Sequence, residues 1–205
     1  MRRSRTLGAL SGAIAFAALS SSTMPAAHAA PAEIYASFGP LSPSNSPFRS
    51  AALALGYDAA GYRLLYEAEV GALFTAFDPH LVIGPILRVD LGRLGAPYQG
   101  VDPIRTDAAW LAVREELALY RWPRVILWAD EAIGASSIGS AGSYATRATW
   151  GVRGGLGLRI GNQRPAVRFR VGYSYAPTFS RVSDYGGGFD FGGIFVALDG
   201  VLRVD

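Results

Sequence analysis

The side chains able to do covalent chemistry are few. The chain has no cysteine, so disulfides, thiolate catalysis, thiolate metal sites and a cysteine-linked lipid anchor are excluded. After residue 29 its one histidine is His80, which reads as a surface residue where a turn becomes a strand. Gly172, Ser174 and Ala176 have the spacing of a nucleophile elbow, but that motif needs a strand-to-helix turn and a histidine partner. Ser174 instead sits inside an alternating run. A lipid-modifying hydrolase or acyltransferase would have to join Ser174, or another hydroxyl, to His80. Gly154, Gly155, Gly157 and Gly161 do not make a dinucleotide fingerprint; their even spacing suits a strand whose inner face leaves room for arginine. No catalytic residue, cofactor or metal site is assigned, since a metal needs several ligands gathered together.

Charge is the richer signal. Arg63, Glu67, Glu69, Arg88, Asp90, Arg147, Arg153, Arg159, Arg168, Arg170, Asp199 and Arg203 recur on the polar side of alternating segments, interleaved with glycines. Two readings follow. Either these side chains pair with one another in a packed ion-pair network, tolerated because Coulomb pairing and hydrogen bonds satisfy it together, or their excess of arginine makes a pocket for a polar or anionic ligand.

The elements that hold them have a period of two, the spacing of a strand with one apolar face. Val167, Phe169, Val171, Tyr173 and Tyr175 oppose Arg168, Arg170, Gly172 and Ser174. Between Ala145 and Gly161, Ala148, Trp150, Val152, Leu156, Leu158 and Ile160 oppose Arg147, Thr149, Gly151, Arg153, Gly155, Gly157 and Arg159. Tyr62, Leu64, Tyr66, Ala68 and Val70 oppose Arg63, Glu67, Glu69 and Gly71. Further strands are expected over Phe48 to Tyr57, His80 to Leu94, Ala108 to Arg121, Arg124 to Ser136 and Phe189 to Val204, which makes eight in all. The segment from Ala108 to Arg121 also carries a helical stripe of Trp110, Val113, Leu117 and Tyr120; if it is a helix, Glu33 to Gly39 supplies the missing strand. Pro85 needs a bulge or a strand end, because it cannot donate to a ladder.

Strands of about 10 to 17 residues exceed the usual 5 or 6 and reach the 9 to 11 that cross a bilayer at a tilt. The connections alternate. Thr75 to Pro79, Trp122 to Pro123 and Gly161 to Pro165 are short, while Gly95 to Asp107, Ser137 to Tyr144 and Pro177 to Gly188 are long. Only Asp58 to Gly61 breaks the alternation by being brief. Over Phe48 to Asp205 the sequence resembles the small eight-stranded outer-membrane barrel proteins, a likeness of strand length, alternation and loop asymmetry. That resemblance implies a single antiparallel up-and-down β-barrel, all-β, with outer-membrane lipid around it. Tyr57, Tyr62, Trp150, Tyr173 and Tyr175 fall near the loop ends of apolar faces, as an outer aromatic girdle would; Phe74, Trp122 and Phe169 are candidates for a lower one. Eight strands leave no open pore, so the charged set must fill the lumen. Glu115, Glu116, Asp130 and Glu131 fit less well, since each adjacent pair sends one carboxylate toward lipid in either register.

The chain has 205 residues, half hydrophobic and 17% charged, which excludes disorder and suits one domain. Arg2, Arg3 and Arg5 lead into an apolar run from Leu7 to Leu19, then a serine patch, Pro25 and Ala27-His28-Ala29, the plan of a secretory signal peptide. The expected organisation is a signal peptide over 1–29 cleaved after Ala29, a periplasmic segment or extra strand over 30–47, and a barrel over 48–205. Cleavage removes three arginines and takes the formal charge from +3 to zero, leaving no nucleic-acid footprint. Three functions remain open. One is a non-enzymatic, monomeric outer-membrane barrel that meets an extracellular ligand through loops carrying Tyr98, Tyr144, Phe179 and Tyr185. The second is the hydrolase. The third is a soluble periplasmic or secreted barrel whose apolar face points inward around a small apolar ligand.

Overall fold

The structure is a computed structural model that describes residues 32–44, 46–57, 65–76, 80–95, 101–119, 124–140, 143–161, 165–179 and 188–204. The signal-peptide assignment lies outside these residues. The barrel strands are β1 (Ala32–Pro43), β2 (Leu65–Thr75), β3 (Leu81–Leu94), β4 (Ile104–Ala118), β5 (Arg124–Ser140), β6 (Ser143–Ile160), β7 (Ala166–Tyr175) and β10 (Gly193–Val204). Each pairs antiparallel with its neighbour, and β1 closes on β10. A small hairpin of β8 (Pro177–Phe179) and β9 (Phe189–Asp190) sits between β7 and β10, and one helix, α1 (Ser46–Ala54), follows β1.

The register measures the tilt. Starting at Glu33 and stepping across partners, the path runs through Leu73, Gly84, Arg114, Asp130, Arg153, Ser174 and Gly193 and returns to β1 at Pro43, ten residues above its start. A shear of ten over eight strands sets the strands at about 40° to the axis, inside the range of membrane barrels. β2 and β3 keep one register from Tyr66↔Leu91 to Thr75↔Val82, with pairing lapsing only between Gly71↔Ile86 and Phe74↔Ile83, beside Pro85, which has no N–H to offer; Pro85 thus sits inside β3 without the bulge or strand end expected of it.

Two expectations about elements are corrected. Phe48 to Tyr57 is not a strand; α1 occupies most of it. Pro47 suits a first turn, Ala51, Ala52 and Ala54 are strong helix formers, and Phe48 and Ala52, one turn apart, are both fully buried. The helix ends at Gly56 (φ 85°), with Gly56 N donating to Leu53 O and Tyr57 N to Ala52 O, the paired bonds of a Schellman turn. The first strand is β1, covering Glu33 to Gly39, and Ala108 to Arg121 is nevertheless a strand through Ala118. The eight are thus kept by exchanging one segment for another. The connection from β1 to β2 is accordingly long and carries α1. Ser137 to Tyr144, expected as a loop, is mostly strand, because β5 and β6 stay paired up to Ser140↔Ser143. The β6–β7 pairing begins only at Val152↔Tyr175, so Ser143–Gly151 pair in register with β5 alone and form a wall above the barrel.

The long connections all leave one end, together with the two-residue β5–β6 connection, and the other short ones leave the opposite end, so the molecule has a looped upper end and a tight lower end. Aromatic and aliphatic side chains close the upper interior. Phe48 meets Phe189 edge-on at 5.0 Å, Phe189 meets Phe191 at 5.0 Å, and Phe191 meets Trp110 at 6.4 Å. Ser44 fastens this cap, donating to Asp190 at 3.2 Å and to Gly192 O at 3.1 Å. Burial raises the Asp190 carboxyl above its ordinary range, against the Gly192 N–H and the Ser44 hydroxyl that favour its charge. A raised acid contributes stability at low pH that is lost as pH climbs through the folded value. Asp190→Asn is therefore expected to flatten the pH dependence of cap opening between mildly acidic and neutral pH, read by hydrogen exchange of Gly192; an unchanged profile would contradict this.

Candidate functional site

The buried charges lie on the inner face, among apolar residues, and the outer face is apolar along most of the wall, with Glu115 and Glu131 its exceptions. Val196, Val171, Leu156, Leu127 and Leu117 are direct lateral neighbours on five successive strands, and all are exposed. Ile133 is 67% exposed and Phe38 59%, the latter stacked on Tyr66 at 5.9 Å. A soluble monomer rarely shows a contiguous apolar patch above a few hundred Å², and here the patch encircles the molecule. On β3 the exposed apolar positions end at Leu91 and give way to Arg93; on β4 they end at Ala109 and give way to Asp107 and Arg105. Eight to ten tilted residues make a band roughly 20–25 Å tall, close to the apolar height of an outer-membrane barrel.

Of the expected upper aromatics, Trp150, Tyr173 and Tyr175 are on the outer face, with Trp150 and Tyr175 in edge contact at 5.7 Å. Tyr57 is not among them: it follows α1 and packs, half-buried, on the upper core, because the segment carrying it is helix rather than strand. Tyr62 lies outside the described residues, as do Trp122, Tyr98 and Tyr185. Phe74 and Phe169 are exposed on the outer face, and Tyr144 is exposed high on β6.

The inner face is charged, and Arg114 is its hub. Its Nε and Nη2 donate to the two oxygens of Asp130 at 2.6 and 2.7 Å; Nη1 and Nη2 donate to Glu69 at 2.6 and 3.1 Å, and Nη1 also to Tyr35 Oη at 2.7 Å. Two bidentate carboxylates on one guanidinium is the fork geometry that lysine cannot reproduce. Glu69 in turn accepts from Arg153 at 2.5 Å and from Arg170 at 2.9 Å. Arg153 continues to Glu67 at 2.8 Å and Asp130 at 2.9 Å. Arg170 continues to Asp199 at 2.8 Å and Ser37 at 3.0 Å. Arg168 joins Asp199 to Glu116, and Arg159 binds Glu33 at 2.5 Å. Higher up, Asp90 accepts from Trp110 Nε1 at 2.6 Å and lies 3.4 Å from Arg88, whose guanidinium sits over the Trp110 ring. Trp128 is flanked by Arg114 and Arg170, at 5.0 and 5.1 Å, so rings fill the space between charges and add cation–π attraction. Gly172 is held by the close approach of β6 as well as by that ring: a Cβ there would collide with Gly154 O and lie 3.0 Å from Trp128.

The network draws on all eight barrel strands, so it ties the closed sheet across its own axis. Arg114 and Asp130 are 0% and 1% exposed, which leaves no water column at their level. Of the charged residues expected in the lumen, Glu67, Glu69, Arg88, Asp90, Arg153, Arg168, Arg170 and Asp199 are buried there and Arg159 lies at its edge. Arg147 and Arg203 have the inward parity of their strands but are exposed, one on the wall above the barrel and one at the lower rim. Arg63 lies outside the described residues. The sequence reading did not include Arg114, Glu116, Asp130, Glu33 or Tyr35. The signal for the first two was present as Trp110, Ala112, Arg114 and Glu116 alternating with Ala109, Leu111 and Val113, but the helical stripe competed with it. Glu116 and Asp130 face inward; Glu115 is half-exposed and Glu131 exposed on the outer side.

Among the described residues the nucleophile and base that the sequence offers are not brought together. Ser174 is buried opposite Gly193 at the upper end, whereas His80 immediately precedes β3 at the lower end, so the pair a hydrolase would need is separated by the height of the barrel. Among the described residues no group of three or more histidine, cysteine, aspartate or glutamate side chains could hold a metal ion. An apolar outside and a charged inside are also the reverse of what a soluble barrel for an apolar ligand requires. Among the described residues no helix is long and apolar enough to cross a membrane; strands cross by other rules.

Together the closed register and the segregated faces define the class: an eight-stranded up-and-down β-barrel with a charged, filled lumen, built like the small outer-membrane barrel proteins. No protein-family model and no curated protein matches the chain. Among solved structures it is similar to the crystal structure of Ail, the attachment invasion locus protein of Yersinia pestis, with a TM-score of 0.43 and 13% identity, over 86% of this chain and 99% of that one. The class rests on the barrel's own register and faces, not on that likeness.

Proposed function

We propose that the chain is exported by a signal peptide cleaved after Ala29 and inserted into the outer membrane as a monomeric, non-enzymatic barrel. The observation that carries this reading is the encircling apolar band, whose height suits a bilayer and whose exposure to water would be costly at about 25 cal/mol per Å². With its lumen cross-linked by ion pairs the barrel serves no conduction pathway; its role is structural or in surface binding. The wall formed by Ser143–Gly151 with β5, and the cap built on α1, β8 and β9, are then the parts presented outside. The long polar upper strands suit contact with an extracellular ligand, since Arg93, Arg105, Asp107 and Thr146 replace the apolar side chains above the band.

Alkaline carbonate extraction of cell envelopes, with heated and unheated samples compared by gel, tests the proposal. The protein is expected to stay with the membrane pellet and to migrate differently after boiling, as a detergent-resistant barrel does. Release into the soluble periplasmic fraction without detergent would overturn it.

A further inference from the structure

The lumen charges are unevenly shared between its two ends. In the upper part Glu67, Glu69, Asp90 and Asp130 face three arginines, Arg88, Arg114 and Arg153. Among the described residues the balance reverses toward the lower mouth, because Arg170 and Arg168 share Asp199 and the rim adds Arg124, Arg159 and Arg203 beside Glu33 and Glu116. Arg124 stands directly opposite Arg159, and Arg159 directly opposite Arg168, so three arginines lie side by side on adjacent strands with inward parity. Arg203 stands opposite Glu33 across the β1–β10 seam. Like charges placed laterally in a sheet repel, and a row of them persists where something negative joins them.

Among the described residues three donors in this group, on Arg124, Arg168 and Arg170, are buried without an acceptor, as are Nε and Nη1 of Arg88 higher up. Arg168 is 1% exposed, and its Nη2 is buried without a hydrogen-bond partner although Nε and Nη1 hold Asp199 and Glu116. Arg124 Nε is likewise buried and unpartnered. A buried guanidinium N–H left unpaired costs more than a neutral one, and water satisfies it without answering the excess charge. Solvent reaches the edge of this group, where the Arg159 and Glu33 side chains keep 12% and 11% of their surface.

We propose that the lower mouth of the barrel is a binding site for a small oxyanion of the phosphate type, held by Arg124, Arg159 and Arg168 with Arg203 at its edge. Arginine forks match the tetrahedral oxygens of such an anion bidentately, and two negative charges would neutralise the local excess. Because the side chains face the barrel axis, the anion enters from solution and not from the lipid around the wall. Only the compartment of that solution, the periplasm, rests on the membrane reading; binding itself is a property of the folded barrel.

The test uses the folded protein in detergent micelles, with inorganic phosphate as the probe, followed by thermal unfolding and by calorimetry at constant ionic strength. A saturable rise in unfolding temperature with phosphate is expected, weaker with acetate, and about tenfold weaker in Arg124→Gln, the loss that accompanies one charge-assisted contact. Arg105→Gln, at the opposite end, should bind as the parent does. Arg159→Gln provides a second lower-mouth variant should Arg124→Gln fail to fold, judged by its heat-modifiable mobility. Repeating the titration in nanodiscs of phosphatidylglycerol separates the sources: unchanged phosphate binding supports a solution ligand, and its abolition by the lipid would assign the anion to a headgroup and overturn the solution site. Absence of saturable binding in micelles, or equal binding by parent and both lower-mouth variants, would refute the site while leaving the location of the protein untouched.

Discussion

Replacing Arg114 by Leu should lower the stability of the folded barrel by about 4–5 kcal/mol, the upper end of the range for removing one partner from a buried charge network. The size follows from what the guanidinium holds. It donates to both oxygens of Asp130, both of Glu69 and the hydroxyl of Tyr35, from a position with no exposed surface. Leucine fills part of the volume and answers none of these acceptors. Arg153 and Arg170 still reach Glu69, and Arg153 still reaches Asp130, so the variant is expected to fold more weakly rather than not at all. Urea unfolding in micelles, followed by tryptophan fluorescence, reads the change directly because Trp128 packs on the same guanidinium. Pairing Arg114→Leu with Asp130→Leu should recover part of the loss, since the second change removes a buried carboxylate left with Arg153 as its remaining partner; a coupling of about 1–3 kcal/mol would be ordinary for groups in contact. Arg105→Leu, exposed above the band, should stay within about 0.5 kcal/mol of the parent. If Arg114→Leu leaves the unfolding midpoint where it is, the lumen is not held by these ion pairs.

The same residues show where the sequence was readable. In β7 alternation is uninterrupted, so facing follows from parity alone: Arg168 and Arg170 share one side, and Val167, Phe169 and Val171 the other. In β4 and β5 the pattern meets Glu115-Glu116 and Asp130-Glu131, and parity cannot choose between adjacent acids. Their facing is decided by partners far along the chain, with Glu116 meeting Arg168 and Asp130 meeting Arg114 and Arg153. Such pairs exist only after the sheet has closed. The exchange of Phe48 to Tyr57 for β1 has a similar origin. Alternating small and apolar residues in a nine-residue Ala-rich stretch satisfy a strand template and a helix template alike, and burial of Phe48 against Phe189 at the cap selects the helix. Strand extension at Ser137 to Tyr144 escaped because polar, small residues resemble a loop, although backbone pairing with β5 needs no apolar face.

Outward charge should be as costly as inward charge is necessary, and Val171→Arg measures it. Val171 is half-exposed, with Val196 and Leu156 directly beside it, and these neighbours leave an arginine on the outer face no acid to meet. In a bilayer the substitution should cost roughly 2–4 kcal/mol near the midplane, whereas in water a surface arginine would be close to neutral. The native Glu131 provides the reverse experiment. It is exposed on the same face between Val113 and Val152, so Glu131→Leu should stabilise the barrel in lipid, by less than Val171→Arg destabilises it because an acid costs less than a base there. Folding into phosphatidylcholine vesicles, titrated with urea, gives both values on one scale. Spin labels at Val152 and Val171 supply a reading independent of stability: facing hydrocarbon, they should be accessible to oxygen and shielded from polar relaxation agents. Opposite signs for Val171→Arg and Glu131→Leu, together with that accessibility, require a band that meets lipid. A neutral Val171→Arg, or labels relaxed equally by polar agents, would mean that the apolar face is not in a membrane.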